Sequence, residues 1–234
     1  MHRAAVFIMA KTPQPGEVKT RLCPPLTGVE AAELYRCFLL DKIEQVRSLK
    51  EAIPAVAYAP AEGRTVFESL APGFALIPQR GPDLGARLAN GFADFLTNGC
   101  DAALAIDSDT PTLPVEFLEQ ALDLIWTPSV DVVLGPTEDG GYYLIGLRAL
   151  HRLLFEDISW STSRVLPETI KRAEASGLRI ARLPAWYDVD IPGDLEHLKR
   201  ALAVTGGIEP FHTRRFFNAL RVGDHLLERL GGGA

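Results

Sequence analysis

Nowhere in the 234 residues is there an apolar run long enough to cross a bilayer. The first apolar run, residues 4–9, is also too short for the core of a signal peptide, so no membrane span and a cytoplasmic location are expected. Cysteine is scarce. Cys23, Cys37 and Cys100 are odd in number, far apart and without paired Cys or His spacing, which excludes a disulfide framework and a zinc-binding Cys cluster. The five histidines, at 2, 151, 197, 212 and 225, share neither ligand spacing nor a partnered nucleophile, so no Ser–His–Asp hydrolase is written here. Positive charge is in deficit, with 24 Lys and Arg against 30 Asp and Glu, net −6. That balance excludes the basic face of a general nucleic-acid binder. No Gly-x-Gly-x-x-Gly follows the first apolar run. The Lys19-Thr20 pair is no triphosphatase phosphate loop either, because Val18 stands where that motif needs glycine.

What remains is a chain with 47% hydrophobic residues, no internal repeat, no low-complexity tract and no linker, which predicts one α/β domain. Residues 4–9 (Ala-Ala-Val-Phe-Ile-Met) form a continuous apolar run, as in a strand buried on both faces of a parallel sheet. Thr27 with Glu30 makes a capping box, followed by Ala31, Leu34, Tyr35, Phe38, Leu39, Ile43 and Val46 at helical spacing. Strands are predicted at 53–58, 74–77, 102–106, 130–134, 142–147 and 179–183. Helices are predicted at 62–70, from Leu84, from Pro114, from Val165 to a C′ glycine at 177, and from Pro192. The fifth and sixth strands read as a crossover or as a hairpin-like excursion. Residues 211–230 add a last helix whose Arg214, Arg215 and Arg221 form a solvated face or a homodimer contact. The division expected is a domain over 1–205 and a helical extension over 206–234.

In open parallel α/β sheets, ligands bind beyond the carboxyl ends of the strands. Residues 10–22 follow the first strand, and Pro13, Pro15 and Gly16 bend this stretch so that Lys11, Lys19 and Arg21 share a region. At corresponding positions after later strands stand Gln79 and Gly81, Asp107 and Asp109, Glu138 and Asp139, and Asp188 and Asp190. Cations and carboxylates at one rim suit a phosphate–metal complex, with carboxylates holding Mg²⁺ and Lys and Arg neutralising phosphate oxygens. Asp109 lies five residues before Pro114, which already marks the next helix start, so a metal role suits it better than a cap. Asp107, Asp188 and Glu138 read equally well as surface turn residues.

Residues 11–22 (Lys-Thr-Pro-Gln-Pro-Gly-Glu-Val-Lys-Thr-Arg-Leu), 83–88 (Asp-Leu-Gly-Ala-Arg-Leu), 108–113 (Ser-Asp-Thr-Pro-Thr-Leu), 138–143 (Glu-Asp-Gly-Gly-Tyr-Tyr), 160–162 (Trp-Ser-Thr) and 188–195 (Asp-Val-Asp-Ile-Pro-Gly-Asp-Leu) together resemble one family. It is the glycosyltransferase-A-like family called radical-SAM/selenodomain-associated transferase 1, and the resemblance spans residues 4–203. More distantly, Lys19-Thr-Arg-Leu22 and the Asp-x-Pro after the fourth strand are similar to 2-phospho-lactate and molybdenum-cofactor guanylyltransferases. The resemblance implies a three-layer α/β/α sandwich with a mostly parallel sheet, of the nucleotide-diphospho-sugar transferase kind. It implies Mg²⁺ or Mn²⁺ at Asp109 and Asp190, with Asp107 beside them. Lys19 and Arg21, joined by Lys11, fall near the nucleotide phosphates, and Gln79, Gly81 and Gly85 near base and ribose. Glu138, Asp139, Gly140 and Trp160 fall near a sugar or acceptor. Asp107 stands where relatives often carry a small residue, and Ile191 and Gly193 replace a Thr and a Glu of the late motif.

Three functions are compatible with this pattern. One is nucleotidyl transfer from a nucleoside triphosphate to a small acceptor, with Asp109 carrying the metal and Lys19 and Arg21 stabilising the departing pyrophosphate. Another is glycosyl transfer from a nucleotide-diphosphate sugar. The third is a nucleotide-binding module without turnover.

Overall fold

The computed structural model describes residues 2–203 and 210–222. Seven strands form one sheet in the order β3-β2-β1-β4-β6-β5-β7. The centre is β1 (Ala4–Lys11), parallel to both β2 (Ala52–Ala59) and β4 (Ala102–Ile106). Outside β2 lies β3 (Ala75–Pro78), also parallel. On the other side β6 (Tyr142–Leu147) runs antiparallel to β4 and to β5 (Val132–Pro136), and β7 (Ile180–Arg182) pairs parallel with β5. The fifth and sixth strands are therefore a hairpin, with β6 inserted between β4 and β5.

The pleat of β1 explains the layers, because successive side chains of a strand point to opposite faces. Val6 and Ile8 pack with α1 (Gly28–Ser48), α4 (Val115–Ile125) and α6 (Pro192–Ala203), while Ala5 and Phe7 pack on the other face with α3 (Leu84–Thr97). Phe7 is fully buried, with its ring 5.2 Å from those of Phe92 and Phe95. The short α2 (Arg64–Leu70) and α5 (Val165–Ala175) complete the two outer layers through Phe67 and Ala173. The fold is thus a single α/β domain with helices on both faces of a mostly parallel sheet. No helix among the described residues is long and apolar enough to cross a membrane.

Local signals hold closely. The Thr27 hydroxyl accepts from the Glu30 amide at 3.2 Å and the Glu30 carboxylate accepts from the Thr27 amide at 2.7 Å, so the capping box forms. Gly177 follows the α5 C-cap at φ +68. Several boundaries differ from expectation by one or two residues, those of β2, β3 and β7 among them, and three others are informative. Strand β1 continues to Lys11 because parallel pairing with β2 persists as far as Ala59. Strand β5 starts at Val132, since Asp131 is bound to Arg179 through its side chain. A one-turn 3₁₀ segment, Ala61–Gly63, precedes α2 where one helix was expected. The last helix, α7 (Phe211–Val222), docks on α1, where Asp41 accepts from the amides of His212 at 2.8 Å and Thr213 at 2.9 Å. The continuation expected over residues 223–230 lies outside the described residues.

Candidate active site

The loop after β1 is anchored, not a free basic arm. Val18 and Leu22 are four residues apart and both buried in the main core, and they bracket a 3₁₀ turn, Thr20–Leu22, whose first flanking residue is Lys19. Lys19 adopts a left-handed backbone, φ 48 and ψ 33, uncommon outside glycine. Its side chain turns inward and is only 6% exposed. The ammonium lies 2.8 Å from Asp109 Oδ1 and 2.7 Å from Asp190 Oδ1. Arg21 is 71% exposed and stands 3.8 Å from the other oxygen of Asp190.

Each carboxylate has its own support. Asp109 follows β4, and its carbonyl accepts from the Val189 amide at 3.1 Å, which ties the two acidic loops together. The Asp194 carboxylate accepts from the amides of Asp190 at 2.7 Å and Ile191 at 2.8 Å, fixing the turn that presents Asp190. Ahead of Asp109, Ser108 is bonded to Tyr35 at 3.0 Å. The Tyr35 oxygen also accepts from the Lys11 amide at 2.9 Å, so this side chain joins the end of β1 to the loop after β4. Lys42, fully buried in α1, donates to the Thr110 carbonyl at 2.9 Å and hydroxyl at 2.8 Å, and that hydroxyl donates to Asp107 at 2.7 Å.

Burial and charge set the ionisation of this cluster. Burial alone would depress the Lys19 ammonium, but Asp109 and Asp190 outweigh it and raise its pKa above the lysine range. Burial pushes Asp190 up, yet Lys19 and then Arg21 hold it below the usual carboxylate value. Asp107 is pushed up to about 7, chiefly by burial and against the pull of Lys42. Asp188 rises to about 6 through burial and its acidic neighbours Asp139, Asp190 and Asp109. Carboxylate charge is thus only partly compensated by the protein's own cations.

Two cavities meet at Asp107, Asp109 and Asp190. The first, about 460 Å³, is lined on its basic side by Lys11, Lys19, Arg21 and Arg87, with Gln79 and Leu84. The second, about 450 Å³, adds Asp139, Asp188, Thr137, Tyr142 and Trp160. Lys11, Lys19, Arg21, Gln79, Asp107, Asp109, Asp139, Asp190 and Trp160 are therefore brought to one place.

Other expected site residues are placed differently. Gln79 lines the first cavity, but its amide nitrogen is committed to the Ala10 and Ala57 carbonyls, at 3.0 and 2.8 Å, linking the ends of β1 and β2. Gly81 and Gly85 line neither cavity. At Gly85 a Cβ would fall 2.4 Å from the Phe155 carbonyl and 2.8 Å from Trp160 Nε1, so this glycine lets α3 approach the Trp160 loop. Gly140 has φ +94, and a Cβ there would meet the Ser163 carbonyl at 2.4 Å; it closes the β5–β6 turn. Glu138 is exposed and lines neither cavity. Asp107 turns toward Thr110, so Asp107, Asp109 and Asp190 do not converge into a ready cage.

Among the described residues, the one trio of metal-ligand type with its ligand atoms within 4.8 Å of one another is Asp41, Glu44 and His212, none of which lines either cavity. There Asp41 is occupied in capping α7. Sequence reasoning missed Lys42 and Arg87. A lysine inside the apolar stripe of Phe38, Leu39, Ile43 and Val46 was the available signal for the first. Its place one turn into the helix after the Gly81 loop was the signal for the second.

Comparison with solved structures agrees with this fold. A provisionally named nucleotide-diphospho-sugar transferase from Desulfovibrio desulfuricans G20 superposes with a TM-score of 0.87 at 31% identity, covering 98% of this chain and 99% of that one. CMP:2-keto-3-deoxy-manno-octonic acid synthetase, complexed with CTP, gives a TM-score of 0.55 at 14% identity over 86% of this chain and 98% of that one. Glucosyl-3-phosphoglycerate synthase from Mycobacterium tuberculosis, with Mg²⁺ and UDP, gives 0.50 at 12% identity over 97% and 79%. No curated protein matches the chain. Residues 42–162, over half the sequence, match the family described as an uncharacterized protein conserved in bacteria, DUF2064. The chain belongs to this bacterial family, DUF2064.

Proposed function

We propose that the protein is a nucleotide-using transferase dependent on Mg²⁺ or Mn²⁺, and that it moves a nucleotidyl group from a nucleoside triphosphate to a small acceptor. The observation that carries this is the ion cluster beyond β1 and β4, where Lys19 sits 2.8 and 2.7 Å from Asp109 and Asp190 beside a cavity edged by Lys11, Arg21 and Arg87. Four cations are more than a neutral ligand needs, and four carboxylates, Glu17, Asp107, Asp109 and Asp190, line the same cavity. A polyphosphate accompanied by a divalent cation satisfies both signs.

The donor set fits Mg²⁺. That ion is held through one or two carboxylates plus substrate phosphates, keeping waters, and does not need an all-protein cage. Asp109 and Asp190 are the residues that would hold it. Bound there, it would offset charge on the phosphate oxygens. Lys11, Arg21 and Arg87 seat the outer phosphates, so that negative charge growing on pyrophosphate as the α-phosphorus–oxygen bond breaks is met by fixed cations. The second cavity, with Asp139, Thr137 and Trp160, receives the acceptor whose oxygen forms the new bond to phosphorus.

One observation favours a second reading, glycosyl transfer. Trp160 and the carboxylates of Asp139 and Asp188 offer a sugar an aromatic wall and hydroxyl acceptors. The name of the D. desulfuricans relative supports the same reading. A thermal-shift screen of nucleoside triphosphates and nucleotide sugars, with and without Mg²⁺, tests the common claim. No Mg²⁺-dependent stabilisation by any nucleotide would sink it. Pyrophosphate release from the stabilising triphosphate, as against nucleoside diphosphate release from a nucleotide sugar, separates the two readings.

A further inference from the structure

We infer that Lys19 is a stand-in for the metal ion: in the free protein its ammonium occupies the space between Asp109 and Asp190, and it must leave before a divalent cation can enter. The inference rests on the metal-dependent reading above and adds an order to it. The metal is taken up together with the nucleotide's phosphates, not before them.

Three observations lead here. The ammonium bridges one oxygen of each carboxylate at 2.8 and 2.7 Å, which are ion-pair contacts that a divalent ion would need for itself. The Lys19 side chain is 6% exposed while Asp109 and Asp190 are 34% and 39% exposed, so the lysine blocks from within a pair whose outer edges face the cavity. Its backbone is held at φ 48 between the buried Val18 and Leu22, which keeps the head group aimed at the carboxylates when no ligand is present. Two carboxylates sharing one ammonium keep a net negative charge, whereas a dication in its place neutralises them. The exchange also frees a positive charge beside Lys11, Arg21 and Arg87, where the phosphates would lie. Each ligand thereby improves the site for the other, which is a positive coupling between metal and polyphosphate.

The test uses the full chain and Mn²⁺, with free ion followed by electron paramagnetic resonance. Wild type alone should bind Mn²⁺ weakly, and K19M should bind it about ten-fold tighter or more, within the usual range of such couplings. K19Q serves as the second variant should K19M fail to fold. Adding D109N to K19M should remove the gained affinity. Inorganic triphosphate should make wild type, but not D109N, retain Mn²⁺ on equilibrium dialysis. If wild type binds Mn²⁺ as tightly as K19M, the stand-in role is overturned while the metal site survives. If neither wild type nor either Lys19 variant binds Mn²⁺ at all, Asp109 and Asp190 are no metal site and the metal-dependent reading falls with the stand-in role. If triphosphate leaves wild-type retention unchanged, the order of uptake is overturned.

Discussion

Lys42, in the middle of the helix that backs β1, donates to both the carbonyl and the hydroxyl of Thr110, at 2.9 and 2.8 Å, with no solvent exposure. A neighbour on the same helix, Gln45, donates to the Leu113 carbonyl at 2.8 Å. Helix α1 thus holds the loop that carries Asp109 by two polar side chains reaching through the core. A buried ammonium is expensive unless its donors are used, and here two hydrogen bonds plus Asp107 at 3.9 Å compensate it.

Replacing Lys42 by Met keeps the stem and removes these bonds. Thr110 would lose the ammonium that donates to its carbonyl and hydroxyl, keeping the Leu113 amide and Asp107, and Asp107 would lose its nearest cation, so K42M should lower stability by about 2–4 kcal/mol. Urea denaturation measures this. A change within about 0.5 kcal/mol, the range of an ordinary surface substitution, would show that the network is not holding the loop.

Asp109→Asn preserves shape but not charge. Lys19 would keep Asp190, so the fold should survive with its melting temperature little changed. Any Mg²⁺-dependent stabilisation by nucleotide should vanish, and turnover should fall by about a hundred-fold or more, as when a charge-stabilising group is removed from a reacting centre. Retained metal dependence in D109N would move the metal site elsewhere.

Gly85→Ala tests the contact between α3 and the Trp160 loop. The new methyl would start 2.4 Å from a main-chain carbonyl, which cannot swing away as a side chain can. Overpacking of this kind costs about 1–3 kcal/mol. Because Trp160 Nε1 is the next nearest atom, the emission maximum of tryptophan fluorescence should shift as well. An unchanged spectrum together with an unchanged melting temperature would contradict the close packing.

Asp131 supplies the pH dependence. Its carboxylate accepts from the Arg179 side chain at 2.8 and 3.0 Å and from the Arg179 amide at 2.9 Å, tying the start of β5 to β7. These bonds hold its pKa down to about 2, against about 3.9 in the unfolded chain. A depressed folded-state value means that the unfolded chain binds the proton first as pH falls. The contribution is therefore complete above pH of about 4 and is lost as pH drops toward 2. Wild type should be more stable than D131N at pH 7, and the gap should narrow between about pH 4 and pH 2. A gap constant across that range would show that Asp131 titrates normally.

Much of the architecture was legible in local sequence. The runs at 102–106 and 142–147 coincide with β4 and β6, the Thr27–Glu30 box caps α1, and Gly177 ends α5. Apolar periodicity, capping chemistry and positive-φ glycine act over a few residues, so they can be read without knowing the fold. The rule that ligands lie beyond strand ends also gathered Lys19, Asp109 and Asp190 in advance, because it follows from strand direction alone.

Tertiary structure decided the rest. Lys19 and Asp190 are 171 positions apart, and their contact depends on the sheet order and on the Val189–Asp109 backbone bond, neither of which any local pattern encodes. The same holds for the insertion of β6 between β4 and β5, and for Lys42, whose partner Thr110 is 68 positions away. Gly81 and Gly85 read as ligand-side residues by position, but the approach of Ala86, Phe155 and Trp160 makes them packing glycines. The sequence by itself determined which charges stand at the rim of the sheet. Only the folded chain decided that one of them, Lys19, closes on Asp109 and Asp190, because long-range ion pairs form where burial and backbone geometry bring charges within 3 Å.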